Sequence, residues 1–124
     1  MEKISAKNVP EAIGPYSQAV KLGNLVFTSG QIAINPKTNQ LVQGDITAQI
    51  RQILDNVRNL LAAAGTSLDN AVKVNVYLKD INDFQKMNEI YAQYFTNKPA
   101  RATIQAAALP KNALIEMDVI AEIN

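Results

Sequence analysis

Arg101 follows Pro99-Ala100 at the mouth of a stretch with strand character, Arg101-Ala102-Thr103-Ile104-Gln105. A guanidinium is a planar fork that makes two parallel hydrogen bonds to a carboxylate, so this position suits either a carboxylate clamp or a structural ion pair with Glu116 or Asp118. Glu116 stands in Leu114-Ile115-Glu116-Met117. A carboxyl among apolar neighbours is partly desolvated, which raises its pKa and fits it for proton transfer; simple alternation would equally put it on a wet sheet face. Gly14-Pro15-Tyr16-Ser17 makes a turn that either aims the Tyr16 phenol into a cleft or uses it as an anchor. In Thr28-Ser29-Gly30-Gln31, a strand ends at a glycine, which lets backbone approach a ligand closely or simply turns the chain. Asn88 lies mid-helix, where propensity disfavours it. Lys73 and Lys79 read as solvated or interface charges.

The composition narrows the chemistry further. The chain of 124 residues has no Cys and no His. A disulfide framework, a thiol nucleophile and a histidine base are therefore excluded, and a zinc site, which draws on Cys and His, is not expected. Catalysis falls to carboxylates, Arg, Lys, Tyr, Ser, Thr and backbone groups. No phosphate-binding glycine loop, metal-spacing cluster or nucleophile elbow is present. Twelve basic against eleven acidic residues leave a net charge of +1, unlike the basic face of a nucleic-acid binder. No apolar run is long enough to span a bilayer, and Met1-Glu2-Lys3-Ile4-Ser5 carries no apolar leader core, so the expected location is the cytoplasm.

These residues need elements to hold them, and the length is that of one domain over residues 1–124. Ser17–Lys21 and Leu25–Thr28 read as strands joined through Leu22-Gly23-Asn24. Asp45 is placed to cap a helix whose apolar positions run Ile46, Ile50, Ile53, Leu54, Val57, Leu60, Leu61 and Ala64, with Gly65 beyond its end. Ala71–Lys79 alternates, with Val72, Val74, Val76 and Leu78 on one side. Asn82, with Gln85, is expected to cap a second helix striped by Phe84, Met87, Ile90, Tyr91, Tyr94 and Phe95, which Lys98-Pro99 stops. Arg101–Ala107 and Ala113–Ile123 are the last strands. The order β-β-α-β-α-β-β, with one more strand near the N-terminus or Gln40, predicts an α+β domain with two helices on one face of a mixed sheet. The face away from the helices is expected to carry Arg101, Thr103 and Gln105 beside Glu116 and Asp118. Leu114, Ile120 and Tyr77 on that face point to packing against another subunit.

Three groups of motifs together resemble the YjgF/UK114 family, the reactive intermediate deaminases. They are Ala12-Ile13-Gly14-Pro15-Tyr16-Ser17-Gln18, then Phe27-Thr28-Ser29-Gly30-Gln31-Ile32, then Pro99-Ala100-Arg101 with Ala107-Ala108-Leu109-Pro110-Lys111 and Ile115-Glu116-Met117. The resemblance runs essentially the whole length. It implies a chorismate-mutase-like two-layer fold and a homotrimer with sites at the subunit clefts. It further implies hydrolysis of 2-imino acids, the products of pyridoxal-phosphate-dependent dehydratases, to 2-keto acids and ammonia, with no metal or cofactor. Arg101 would grip the substrate carboxylate and Glu116 would position or activate water. Tyr16, Ser29, Gly30 and Asn88 would line the pocket. Many members have Cys where this chain has Thr103; any thiol behaviour does not carry over, although a hydroxyl can still meet substrate.

Two other readings accompany this one. The same arginine pocket would serve a non-catalytic trimer that binds small carboxylates such as 2-keto acids. An RNA-directed activity is ascribed to some relatives, but four Tyr, three Phe and no Trp or His on a near-neutral chain offer it little.

Overall fold

Gly23, with φ of 59° in the left-handed region, turns Ala19–Leu22 (β2) directly back into Leu25–Thr28 (β3). From such local instructions the computed structural model, which describes residues 1–124, builds eight strands and two helices. The other elements are β1 (Glu2–Ile4), β4 (Ile34–Asn35), β5 (Gln40–Leu41), α1 (Ile46–Ala63), β6 (Ala71–Leu78), α2 (Phe84–Tyr94), β7 (Ala100–Gln105) and β8 (Ile115–Glu122). Six strands form one sheet in the order β1-β2-β3-β8-β6-β7, and β4 and β5 pair as a separate ribbon. Extra strands thus occur both at the N-terminus and at Gln40. Only β6 and β7 are parallel, because α2 carries the chain back across the sheet between them.

Both helices cover one face. The α1 stripe Ile50, Ile53, Leu54, Val57, Leu60 and Leu61 is fully buried against Val26, Val74, Val76, Ile115, Met117 and Val119 of the sheet, in one core cluster. Asp45 caps α1 as its position in the sequence requires, its carboxylate accepting from the Ala48 N–H at 3.1 Å. The other face of the sheet has no covering layer within the chain.

Three sequence expectations fail. Val72 does not join Val74 and Val76: a bulge between Ala71 and Lys73 rotates it outward, and it is 46% exposed. Asn82 does not cap α2; Asp80 accepts from the Asn82 N–H at 2.9 Å and opens a short 3-10 turn, Ile81–Asp83, that leads into the helix. The third failure matters most. Arg101, Thr103 and Gln105 pair with Val74, Val76 and Leu78, whose side chains face the helices, whereas Glu116 and Asp118 pair with Tyr77 and Asn75 and face away. Polar alternation on β7 reads as an outward face, but β7 is the edge strand. At that edge Arg101 stays partly exposed and Gln105 exposed, while the Thr103 hydroxyl is enclosed.

Candidate active site

Glu116 owes its surroundings to an interruption in the sheet. The ladder between β3 and β8 stops at Phe27 opposite Ile120 and resumes as a single bridge, Gln31 opposite Met117. Between them Thr28-Ser29-Gly30 arches out of register. The Thr28 hydroxyl accepts from the Val119 N–H at 3.0 Å, and Ser29 is tied down twice, its N–H donating to the Gln18 carbonyl at 2.9 Å and its hydroxyl to the Ser17 carbonyl at 2.5 Å. This arch brings Gly30 onto the Glu116 side chain: a Cβ there would stand 3.0 Å from the Glu116 Cδ and closer still to the carboxylate Oε2. Tyr16, 53% exposed, lies over Gly14 on the opposite wall. Together with Gln18, Gln31 and Lys111 these residues line a cleft of about 330 Å³.

The electrostatics of this cleft are set from beneath. Asp118, two residues along β8 on the same face, accepts from Asn75 Nδ2 at 2.8 Å and from the Tyr77 hydroxyl at 3.1 Å. Partial burial, and after it the Asp118 carboxylate, hold the Glu116 carboxyl above the ordinary range. Burial, then Asp118, push the Tyr77 phenol up as well.

Arg101 occupies a different cleft. Its Nη1 donates to Asn88 Oδ1 at 2.6 Å, and its Cζ stands 4.8 Å from the Tyr91 ring centre and 5.4 Å from that of Phe84. No carboxylate lies within ion-pair distance; the one salt bridge of the chain joins Arg58 to Asp55. Within the chain, Arg101 therefore pairs with neither Glu116 nor Asp118. Beside it two hydroxyls, those of Thr103 and Tyr91, are buried without a partner. Burial raises the Tyr91 pKa and the nearby Arg101 charge partly offsets this. Lys98, Pro99 and Phe95 complete the lining.

The residues singled out in the sequence therefore fall into two sets. Tyr16, Gly30 and Glu116 line one cleft, with Ser29 beside Gly30 in the arch but bonded to Ser17 and Gln18; Asn88 and Arg101 line the other, with Thr103 two residues along β7 on the same face. Arg101 and Glu116 are separated by two strand spacings across β6, roughly 10 Å, and by three residues along it, roughly another 10 Å, and point to opposite faces. No three Asp or Glu side chains cluster as metal ligands would.

The chain matches the family model described as endoribonuclease L-PSP over residues 6–123. It is 55% identical over 121 residues to a RutC family protein of Pyrococcus horikoshii, covering 97% of this chain and 96% of that one. It is 48% identical over 122 residues to the 2-iminobutanoate/2-iminopropanoate deaminase of Escherichia coli K12, covering 95% and 94%. Among solved structures, the E. coli YjgF gene product superposes with a TM-score of 0.94 at 44% identity, and E. coli TdcF with bound serine with 0.94 at 40%, each covering both chains fully. The chain belongs to the endoribonuclease L-PSP family, the YjgF/RutC proteins. This YjgF/RutC chain therefore shares its α+β architecture with both solved relatives.

Sequence reasoning placed Phe84 and Tyr91 in the core stripe of α2 and missed them at the site. Their signal was present. Phe84, Asn88 and Tyr91 recur at i, i+4 and i+7, one face of a helix, and that face meets Arg101. Asp118 reads in the sequence as a neighbour of Glu116 and a candidate ion-pair partner of Arg101; its contacts with Asn75 and Tyr77 cross strands and leave no mark in a local pattern.

Proposed function

We propose that the protein is a 2-iminobutanoate/2-iminopropanoate deaminase, hydrolysing small 2-imino acids to 2-keto acids and ammonia. The observation that carries this reading is Arg101: a half-buried cation without a counter-ion, one guanidinium nitrogen tied to Asn88, the rest of its fork unbonded. Such a group awaits an anion, and a planar carboxylate fits the fork. The 48% identity to a protein named for this reaction agrees with it.

The chemistry asks little of the protein. Water adds to the imine carbon, the C=N electrons pick up a proton at nitrogen, and the tetrahedral adduct then breaks its C–N bond. Ammonia leaves as the hydroxyl oxygen forms the new C=O. Arg101 holds the carboxylate and supplies the orientation. Glu116, its pKa raised, takes a proton from the attacking water and returns one to the departing nitrogen, typically worth about 10²–10⁴-fold. Tyr16, Ser29, Gly30 and Thr103 shape the surroundings, and no step calls on a metal or cofactor.

Because Arg101 and Glu116 face opposite ways within one chain, the complete site requires Arg101 of one copy beside Glu116 of another. The uncovered sheet face, with Val20, Phe27 and Ile120 only partly buried, offers the surface for that contact. A closed ring of three copies, with three such sites, is the assembly we assign, working in the cytoplasm.

The test is a coupled assay in which an amino-acid dehydratase or oxidase generates 2-iminobutanoate or 2-iminopropanoate, with semicarbazide as competing trap. The wild type suppresses semicarbazone formation. Arg101→Ala loses about 2–5 kcal/mol of transition-state binding. If Arg101→Ala retains normal activity, the role of Arg101 falls. If the wild type itself spares no imine, a carboxylate-binding module takes its place, a reading favoured by the serine bound to the TdcF structure.

A further inference from the structure

Arg101 lacks what normally fixes an arginine. It sits on an edge strand, no carboxylate pairs with it, and its only side-chain hydrogen bond reaches Asn88. A long side chain so placed would sample many rotamers and present its fork poorly. Two rings of α2 stand where that freedom would be lost. Phe84 and Tyr91 are two helical turns apart, roughly 10 Å along the axis. The Arg101 Cζ lies 5.4 Å from the first ring centre and 4.8 Å from the second, which puts the guanidinium between them. Asn88, midway on the same helix face, takes one nitrogen. We infer that Phe84 and Tyr91 are positioning residues: their ring faces hold the Arg101 guanidinium plane so that its free edge opens to the cleft.

The details of each ring agree with this role. Tyr91 is itself immobilised, 7% exposed and packed on Phe95 with ring centres 4.6 Å apart. Its hydroxyl has no partner, so the ring and not the oxygen serves Arg101. Phe84 is 37% exposed at the first position of α2, outside the buried core cluster, and its ring lies under the Arg101 guanidinium. Cation–π contacts of this kind are strongest for delocalised, weakly hydrated arginine.

The inference rests on the deaminase reading for its functional meaning, and the experiment separates the two. Phe84→Leu, Tyr91→Leu and Tyr91→Phe are compared with wild type in three ways: KM and kcat in the semicarbazide assay, calorimetric binding of 2-ketobutyrate, and the NMR resonance of the Arg101 Nε–H. Each leucine variant is expected to weaken 2-ketobutyrate binding and raise KM roughly tenfold, with a smaller change in kcat. The Arg101 resonance should move downfield as ring-current shielding is lost. Tyr91→Phe should recover most of the Tyr91→Leu loss, because the ring is restored. Phe84→Leu guards against a folding artefact, since its site is solvent-facing. If both leucine variants keep the wild-type Arg101 resonance and 2-ketobutyrate affinity, the inference is overturned. If wild type hydrolyses no imine, the deaminase reading fails, while the resonance and the binding curves still decide the positioning role.

Discussion

At Glu116 the raised pKa has consequences in both rate and stability. A base must be deprotonated to act, so the acid limb of kcat/KM should lie above the ordinary glutamate value of about 4.3. The carboxylate that helps to raise it is Asp118; Tyr77, Tyr16, Glu11 and Lys111 are the other ionisable groups around it within the chain, and Arg101 of a neighbouring copy opposes the shift in the proposed assembly. Asp118→Asn should therefore move the acid limb to lower pH, measured as kcat/KM across about pH 4–8. An unmoved limb would mean that burial alone sets the value. For stability the sign is opposite to that of a salt-bridged acid. The native chain binds its Glu116 proton more tightly than the unfolded chain does, so stability falls as pH rises from the ordinary value through the raised one. Glu116→Gln removes that penalty, so the dissociated chain should melt higher than wild type near pH 7, with the gap closing below about pH 4; in the assembled ring the neighbouring copy's Arg101 favours the charged form and the gap should shrink. At Arg101, lysine keeps the charge but loses the fork and its fit between two rings, so Arg101→Lys should forfeit at least about tenfold in kcat/KM.

The arch Thr28-Ser29-Gly30 positions as much as any helix does. Gly30 does not adopt a left-handed φ, so the objection to a side chain there is space alone. The obstacle is the end of a flexible glutamate, so Gly30→Ala should fold normally, with stability changed by less than about 1 kcal/mol. It should displace the Glu116 carboxylate and cut kcat roughly tenfold, since misplacement by about an ångström is costly. Urea unfolding and the coupled assay together would separate the two effects. Asp45→Ala provides the contrast: it should cost about 1 kcal/mol of stability through the lost cap and leave kcat/KM alone. Elements of this kind differ in how legible they are. The α1 helix, its Asp45 cap and the Gly23 hairpin are local, and spacing and turn chemistry announce them. The bulge at Val72, the Asp80 turn ahead of α2 and the helix-side aspect of Arg101 depend on which strand lies beside which. Alternation states that neighbours point opposite ways without stating which way is inward, and on an edge strand polarity gives the wrong answer.

For the molecule as a whole, the motif stretches were enough to place the chain in its family, while the division of the site became visible only with the sheet order. The two halves lie back to back, which makes a sharp prediction for mixed assemblies. Arg101→Ala and Glu116→Gln should each be nearly inactive alone. Unfolded together and refolded as a mixture, they should recover about a quarter of wild-type activity, because in a head-to-tail ring that fraction of interfaces joins an intact arginine to an intact glutamate. No recovery, with mixed assemblies demonstrated by mass spectrometry, would place both residues of each working site in one chain. The same sheet has a further effect on how the protein behaves in dilute solution. On the deaminase reading, a solitary chain holds the grip on one side and the proton carrier on the other, and should be complete as a fold and silent as a reagent. Rate should then rise faster than in proportion to protein concentration until copies are saturated with one another, and a mutation far from either cleft that loosens their contact would be recorded, in an ordinary assay, as a loss of catalysis.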